Sequence, residues 1–142
     1  MSMVQASYDP DNIFAKILRG EIPCHKVLET DDCLVFMDIM PIVDGHCLVI
    51  PKAPARSIFD VPPDVFAAMA VTAQRVAKAA CKAFNADGHT LKQYSEPAGG
   101  QEVFHIHFHI LPRHLGVATR PRKMADHAIL ADHAKRIAAA LD

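Results

Sequence analysis

The fold is indicated most clearly by His105-Ile106-His107-Phe108-His109-Ile110-Leu111, where histidines alternate with large apolar residues. Strict alternation is typical of a half-buried β-strand, because successive side chains of a strand point to opposite faces of the sheet. We therefore predict a strand over residues 103–111. It places three imidazoles on one face and the intervening apolar side chains in the core. Near neutral pH an imidazole can act as a nucleophile, an acid or base, or a metal ligand.

A metal site is one alternative interpretation of these histidines. The first and third Cα atoms of such a strand are roughly 13–14 Å apart, whereas zinc needs each ring nitrogen at about 2.0–2.1 Å. Two alternate histidines could chelate an ion together with a carboxylate or thiolate from elsewhere, but three could hardly converge on one ion. The row could also be a set of partly exposed polar residues without a chemical role.

The loop before this strand contains Gly99-Gly100-Gln101. Paired glycines let backbone N–H groups converge into a concave anion site, and the Gln101 amide adds a further donor. An anion cradle beside histidines suggests a phosphate next to a nucleophile. A glycine pair can also be only a turn, and the chain lacks the Gly-x-x-x-x-Gly-Lys-Ser/Thr pattern of a P-loop.

The rest of the chain predicts an α+β organisation. Apolar periodicity and turn residues predict helices over 12–19, 62–84 and 125–141, and strands over 25–29, 33–38, 45–51 and 90–95. Strands that follow one another before a long helix imply an antiparallel sheet. We expect residues 1–11 to form a flexible N-terminal tail and residues 12–142 to form a single domain.

Composition points to one ordinary globular domain and to no extended partner surface. The 142 residues carry a net charge of −1, which provides no field for nucleic acid or a membrane surface. The four cysteines show no Cys-x-x-Cys spacing and are interpreted as reduced. The polar N-terminus lacks the apolar region of a signal peptide, and no run is long enough to span a bilayer. We therefore expect a cytoplasmic protein without nucleic acid or membrane partners.

The chain resembles the histidine triad (HIT) family. The resemblance rests on Gly100-Gln101-Glu102-Val103-Phe104 followed by the alternating histidines, which match the family's His-φ-His-φ-His-φ-φ signature, where φ is apolar. Further blocks match in family order: Ile13-Phe14, Gly20-Glu21-Ile22-Pro23, Phe36-Met37-Asp38-Ile39 and Gly45-His46-Cys47-Leu48-Val49-Ile50-Pro51-Lys52. The similarity covers roughly residues 12–113. It implies a HIT-like fold, with an antiparallel sheet of about five strands, one long packed helix, a C-terminal helix and an edge-to-edge homodimer.

The resemblance also implies roles for individual residues. His107 is the expected nucleophile at the α-phosphorus of a nucleotide. His105 and His109 are expected to fix its tautomer and orientation or to spread charge, and His46 to join their network. Gln101 and the backbone of residues 100–103 are expected to stabilise the phosphate oxygens as charge develops.

A purine nucleotide site follows from the same resemblance. Its base is expected between apolar side chains, and Asp38 is expected to accept hydrogen bonds from the ribose hydroxyls. The apolar residues are Ile13, Phe14, Ile17, Ile22, Phe36 and Ile39. Further contacts are expected from Ser95, Gly100, Glu102 and Val103. The apolar residues could instead serve only as core, and Asp38 only as a turn residue.

The chain departs from the family pattern at four places. Residues 12–15 lack the Cys-x-x-Cys of many bacterial relatives, and residues 52–54 lack their histidine, so we predict no structural zinc and no cofactor. Tyr94-Ser95 stands where an asparagine is usual, which leaves that phosphate or sugar contact in question. Glu102 stands where a serine often helps to protonate the leaving group, a task that a glutamate performs only with a raised pKa.

The resemblance, which is strongest to the bacterial Hint-like branch of the family, implies a hydrolase that cleaves P–N bonds in purine nucleoside phosphoramidates through a covalent nucleotidyl-His107 intermediate. A second possibility is cleavage of dinucleoside polyphosphates by the same histidines. A third is a nucleotide-binding sensor with little turnover, and a fourth is a metal-dependent enzyme that uses two histidines of the row.

Overall fold

The structure is a computed structural model that describes residues 7–142, so the first six residues of the predicted tail lie outside the described residues. The elements in chain order are α1 (Ile13–Leu18), β1 (Lys26–Glu29), β2 (Cys33–Met37), β3 (Cys47–Pro51), α2 (Pro63–Ala83), β4 (Gly88–Lys92), β5 (Phe108–Arg113) and α3 (His127–Ala139). Local sequence explains the helix starts: the side chain of Asn12 accepts from Ala15 N–H at α1, and that of Asp126 accepts from Ala128 N–H at α3.

The five strands form one antiparallel sheet in the order β1-β2-β3-β5-β4. The β1–β2 hairpin turns at Thr30, whose hydroxyl accepts from the backbone N–H groups of Asp32 and Cys33. Strand β5 lies between β3 and β4, which brings the histidine segment next to the strand that follows His46. The predicted α+β class and antiparallel five-stranded sheet are confirmed.

Both faces of the sheet are covered. Helices α2 and α3 pack on one face, where the core includes Val35, Val49, Met69, Val76 and Ile110. The opposite face carries a smaller cluster, formed by Phe14 of α1 with Leu34, Phe36, Leu48 and Ile50. Alternate residues of β2 and β3 therefore serve two apolar layers, which is why both strands are apolar throughout. The smaller cluster forms the floor of the candidate site.

The histidine strand differs from its predicted bounds of 103–111. Strand β5 begins at Phe108, and residues 103–105 form a bend in which Ile106 N–H donates to the Ala55 carbonyl instead of a sheet neighbour. The alternation survives the bend because Ile106 still reaches the core. The strand continues through Pro112, which pairs with His89 of β4 and has no partner in β3, because the β3 ladder ends at Ile110.

Strand β4 also lies earlier than predicted, at residues 88–92 rather than 90–95. Its register follows the extended end of β5, since Gly88 pairs with Arg113 and Lys92 with His109. Within residues 7–142, no helix combines the length and the apolar character needed to cross a bilayer.

Candidate active site

A pocket of about 550 Å³ opens on the sheet face that carries Phe36 and Leu48. Thirteen of the predicted site residues line it: Ile13, Phe14, Ile17, Ile22, Phe36, Asp38, Ile39, His46, Gly100, Glu102, Val103, His107 and His109. Three predicted site residues, Ser95, Gln101 and His105, do not line it. The pocket is thus apolar on the α1 side and histidine-rich where β5 begins.

His107 is held as a neutral ring with one free nitrogen. Its Nδ1 lies 2.7 Å from the carbonyl oxygen of His105. A carbonyl only accepts, so Nδ1 carries the proton and Nε2 keeps its lone pair. The ring of Phe14 meets it edge-on, with centroids 4.9 Å apart. Burial, more than any charge, lowers the pKa of His107 below its usual value, so the ring is neutral at pH 7 and suited to nucleophilic attack.

His109 and His46 form a hydrogen-bonded pair beside His107. The Nδ1 of His46 accepts from Ile42 N–H at 3.2 Å, so its proton is on Nε2. That nitrogen lies 2.9 Å from His109 Nδ1 and 3.3 Å from an oxygen of Asp38. His109 therefore accepts through Nδ1 and carries its own proton on Nε2. Burial lowers the pKa of both rings to about 3, so both are neutral at pH 7. The His46–His109 contact is therefore a hydrogen bond between neutral rings, and the His46–Asp38 contact is not an ion pair.

The turn before β3 positions His46 for its contacts with His109 and Asp38. Gly45 adopts φ +83°, and a Cβ there would lie 2.8 Å from ring carbons of Phe84. Only glycine satisfies both the left-handed backbone and this close approach. The carbonyl of His46 also accepts from Asp38 N–H, which fixes the histidine and the carboxylate relative to each other.

His105 does not share the pocket with the other two histidines. Its ring is fully buried; Nε2 donates to the Pro51 carbonyl at 2.8 Å, and Nδ1 accepts from the hydroxyl of Tyr8 at 2.7 Å. Both ring nitrogens are therefore occupied. The prediction of three rings on one open face is wrong for His105, because the chain bends before β5 starts. The contact of His105 with His107 runs through its main-chain oxygen.

Tyr8 is a site component that the sequence analysis missed. Its ring also meets that of His105 edge-on, at 5.6 Å between centroids. No sequence motif marks Tyr8, and it lies in the segment that we expected to be a flexible tail. The contact instead makes Tyr8 a positioning residue, since it holds the ring whose main chain orients His107.

We expect Tyr8→Phe to lower kcat about three- to tenfold and to change KM less than twofold. The reason is that the substitution leaves the buried Nδ1 of His105 without its donor, which costs about 1–3 kcal/mol. Part of that cost falls on the contact between the His105 carbonyl and His107 Nδ1. Steady-state kinetics measures the split. Nitrogen NMR of the His105 ring provides a second readout, because the ring loses its single tautomer. An unchanged kcat with an unchanged His105 spectrum would contradict this role.

Gln101 supports the loop and does not face the phosphate site. Its Oε1 accepts from Glu96 N–H at 2.7 Å, and its Nε2 donates to the carbonyls of Arg56 and Val103. All its polar atoms are thus occupied. Ser95 is likewise outside the pocket, bonded to Gln93 and Ile58. The loop uses both side chains for its own hydrogen bonds, so direct contacts of Gln101 and Ser95 with a nucleotide stay a prediction that would require these bonds to be exchanged.

Asp38 lines the pocket but is already engaged. It is 6% exposed; one oxygen accepts from Met40 N–H at 2.8 Å, and the other faces His46. Each carboxylate oxygen has a second lone pair, so a ribose hydroxyl could still donate to Asp38. The predicted ribose contact therefore fits, with Asp38 also tied to the histidine pair.

A cationic rim at the mouth was not predicted. Arg122 and Lys92 line the pocket, and a guanidinium nitrogen of Arg122 lies 3.0 Å from a carboxylate oxygen of Glu102. Arg122 belongs to residues 114–126, which lie between β5 and α3 and beyond the recognised motifs. The basic run at residues 120–123 was the available signal.

Asp38, His46 and His109 could also hold a metal ion, because their ligand atoms lie within 4.8 Å of one another. Zinc prefers such nitrogen and oxygen ligands. The hydrogen-bond pattern disfavours it here, since binding would require His46 to lose its Nε2 proton or to turn away from Ile42. The predicted absence of a metal and of a cofactor stays a prediction.

Known proteins resemble this chain over most of its length. The HIT domain model matches residues 19–116. Adenylylsulfatase HINT3 of Arabidopsis thaliana is 42% identical over 103 residues, which are 72% of this chain and 52% of that protein. Adenosine 5'-monophosphoramidase HNT1 of Saccharomyces cerevisiae is 36% identical over 108 residues, 76% of this chain and 66% of that protein. The chain thus spans between half and two thirds of these two relatives.

A solved structure extends the likeness to the whole fold. The crystal structure of a Hit-like protein from Bartonella henselae, described as involved in cell-cycle regulation and as having an unknown ligand, superposes with a TM-score of 0.93. The two sequences are 46% identical, and the match covers 96% of this chain and 100% of that one.

Proposed function

Because the chain belongs to the histidine triad (HIT) family, we propose that it is a nucleotide hydrolase acting at the α-phosphate of purine nucleoside phosphoramidates. The observation that carries this proposal is the neutral His107, whose Nδ1 proton is fixed by the His105 carbonyl and whose Nε2 is free. Two relatives are named for activities on derivatives of AMP: one is called an adenylylsulfatase and the other an adenosine 5'-monophosphoramidase. Both names fit attack at the α-phosphorus.

The reaction takes two displacements. In the first, Nε2 of His107 forms a bond to the α-phosphorus, the P–N bond to the leaving group breaks, and the departing amine takes a proton from solvent at the pocket mouth. In the second, water attacks the phosphorus and displaces His107, which regains its lone pair as AMP and a proton are released. His109, with its Nε2 proton, provides a donor beside the phosphate, and His46 orients it.

The two ends of the pocket suit the two ends of a nucleotide. The apolar wall of α1 and β2 offers a slot for a purine. Asp38 lines the same pocket and contacts His46, so the proposed ribose position is beside Asp38. The backbone of residues 100–103 borders the histidines, and Gly100 adopts φ +95°, which lets the loop approach a phosphate closely. We propose these residues as the nucleotide-binding set.

We also propose a homodimer formed through the β4 edge. Strand β4 is an edge strand, and Leu91 on it is 50% exposed. A groove of about 430 Å³ between β4 and α2 is lined by Ala73, Ala77 and Leu91 among others. An open apolar edge of this kind is usually covered. A light-scattering mass equal to one chain would contradict the dimer.

The reducing cytoplasm is the proposed setting. Within residues 7–142 all four cysteines are free, and two of them, Cys33 and Cys47, are buried. Burial raises the pKa of the Cys47 thiol, which keeps it protonated and unreactive.

The proposed reaction needs no metal, so we expect AMP release from adenosine 5′-phosphoramidate to be unchanged by chelator. The measurement is AMP formation with and without EDTA, on protein purified without added metal. Activity that is lost in EDTA and restored by zinc would overturn the proposal in favour of a metal enzyme using Asp38, His46 and His109. AMP binding without turnover of any nucleotide substrate would instead support the sensor alternative.

A further inference from the structure

We propose that Tyr94 is a positioning residue for the reaction, whose ring holds the imidazole of His109 in the orientation that directs its Nε2–H at the α-phosphate. Tyr94 lines the pocket and takes no part in the two displacements. This inference rests on the proposed function, since it concerns how His109 presents a hydrogen-bond donor to the phosphate that His107 attacks.

The ring of Tyr94 contacts two parts of the proposed phosphate site. It meets the ring of His109 edge-on, with centroids 5.6 Å apart and ring planes at 64°. The same ring lies alongside Gly100, where a Cβ would be 3.4 Å from Cδ1 of Tyr94. His109 of β5 and Gly100 of the loop before it are therefore both packed against one side chain, which fixes the histidine relative to the loop.

The hydrogen bond from His46 does not by itself fix the plane of the His109 ring. It reaches only Nδ1, at 2.9 Å, and the last side-chain torsion of a histidine is broad. A ring held at one atom can still turn about that contact, and Nε2 then changes direction. Because a hydrogen bond weakens steeply once its angle falls below about 120°, a turned ring loses its contact with the phosphate.

Tyr94 is suited to provide this restraint because its own position is set by its main chain. Gln93 Nε2 donates to the Tyr94 carbonyl at 2.9 Å and to the Ser95 hydroxyl at 2.8 Å, and Ser95 also accepts from Ile58 N–H. Among residues 7–142, the hydrogen bonds of Tyr94 involve its main chain and not its hydroxyl. The ring of His107 also packs edge-on against His109, but His107 is the reacting group, whereas Tyr94 stays unchanged through both displacements.

The first test separates the ring of Tyr94 from its hydroxyl, with adenosine 5′-phosphoramidate as substrate. Tyr94→Phe keeps the ring and is expected to change kcat less than about twofold. Tyr94→Leu removes the edge-on contact and is expected to lower kcat about three- to tenfold, the range that one aromatic contact supports, while KM changes less than about twofold. Phe59→Leu is the matched control, since Phe59 is 38% exposed and lies outside the pocket. Equal losses in Tyr94→Phe and Tyr94→Leu would overturn the proposal, because they would assign the effect to the hydroxyl.

A double-mutant cycle tests whether Tyr94 acts through His109. Tyr94→Leu added to His109→Ala should lower kcat less than about twofold beyond His109→Ala alone, because the ring that Tyr94 orients is already gone. If the two losses multiply instead, Tyr94 acts independently of His109 and the proposal is overturned. Tyr94→Met serves as a second variant without the aromatic ring and should repeat the result of Tyr94→Leu, which guards against a folding defect in one of them.

A readout that needs no turnover separates this inference from the proposed function. Nitrogen NMR at pH 7 should show a single tautomer of the His109 ring, with the proton on Nε2, in the unaltered protein and in Tyr94→Phe. Tyr94→Leu should instead give averaged nitrogen shifts, because the ring turns away from His46. Unchanged His109 shifts in Tyr94→Leu would refute the positioning role. An unaltered protein that cleaves no nucleotide substrate would count against the proposed function, and the NMR comparison would then decide the role of Tyr94 alone.

Discussion

Replacing His107 with asparagine is expected to reduce kcat for adenosine 5′-phosphoramidate by at least about 10⁴-fold, because loss of a covalent nucleophile leaves only binding and electrostatic assistance. The amide nitrogen of asparagine takes the place of Nδ1 and can still donate to the His105 carbonyl, which keeps the local hydrogen bond. The amide has no counterpart of Nε2. The substitution therefore removes the reacting atom with little change to its surroundings, and single-turnover measurements separate the loss of chemistry from any loss of binding.

The control for this prediction is another histidine outside the pocket. His127 begins α3 and contacts His25 on the surface, so His127→Asn should leave kcat unchanged. His109→Ala should give an intermediate loss of about 10²-fold, since it removes a donor rather than the nucleophile. Retention of a tenth or more of the activity in His107→Asn would exclude this histidine as the nucleophile.

The second large effect is a steep loss of stability in acid. Burial lowers the pKa of His46 and His109 to about 3 and that of His105 to about 4, whereas each is near 6.5 in an unfolded chain. Below pH 6.5 the unfolded state therefore binds more protons than the native state, so stability falls as pH falls until the native values are reached. Each such histidine contributes about 1.4 kcal/mol per pH unit, so three give roughly 4 kcal/mol per unit.

Urea unfolding between pH 6 and pH 5 measures this slope. A domain with about 5–15 kcal/mol of stability should unfold within a few pH units below neutrality. Exchanging His46 for asparagine should lower the slope by about one histidine's share, even though it also weakens the native state at pH 7. A slope below about 1.4 kcal/mol per unit would mean that the buried histidines accept protons in the folded protein.

Two kinds of sequence evidence placed residues correctly. The resemblance to the HIT family assigned Phe36 and Asp38 to the nucleotide site, and both line the pocket. Alternation assigned His107 and His109 to one face of a strand, where they line the pocket, and Ile106 and Ile110 to the core, where both are fully buried. Alternation succeeded because a strand allows each side chain only two faces.

The rest of the site depends on loops, where no period constrains direction. Gln101 was expected to donate to a phosphate because a side-chain amide can donate hydrogen bonds. In the structure its amide instead forms three hydrogen bonds with backbone groups of the protein. His105 does not line the pocket, because the chain bends at residues 103–105 and the alternation of histidines with apolar residues does not reveal this bend. Tyr8 and Arg122 reach the site from segments outside every motif, and only tertiary contacts identify them.

The central claim is that the reaction passes through a covalent bond between His107 and the nucleotide, and the stereochemistry at phosphorus tests it most directly. The substrate is an adenosine 5′-phosphoramidothioate of one configuration, hydrolysed in water enriched in oxygen-18. Two displacements predict that the product thiophosphate retains the configuration of the substrate. Inversion would contradict the account, because it would show that water attacks the substrate directly and that His107 never carries the nucleotide.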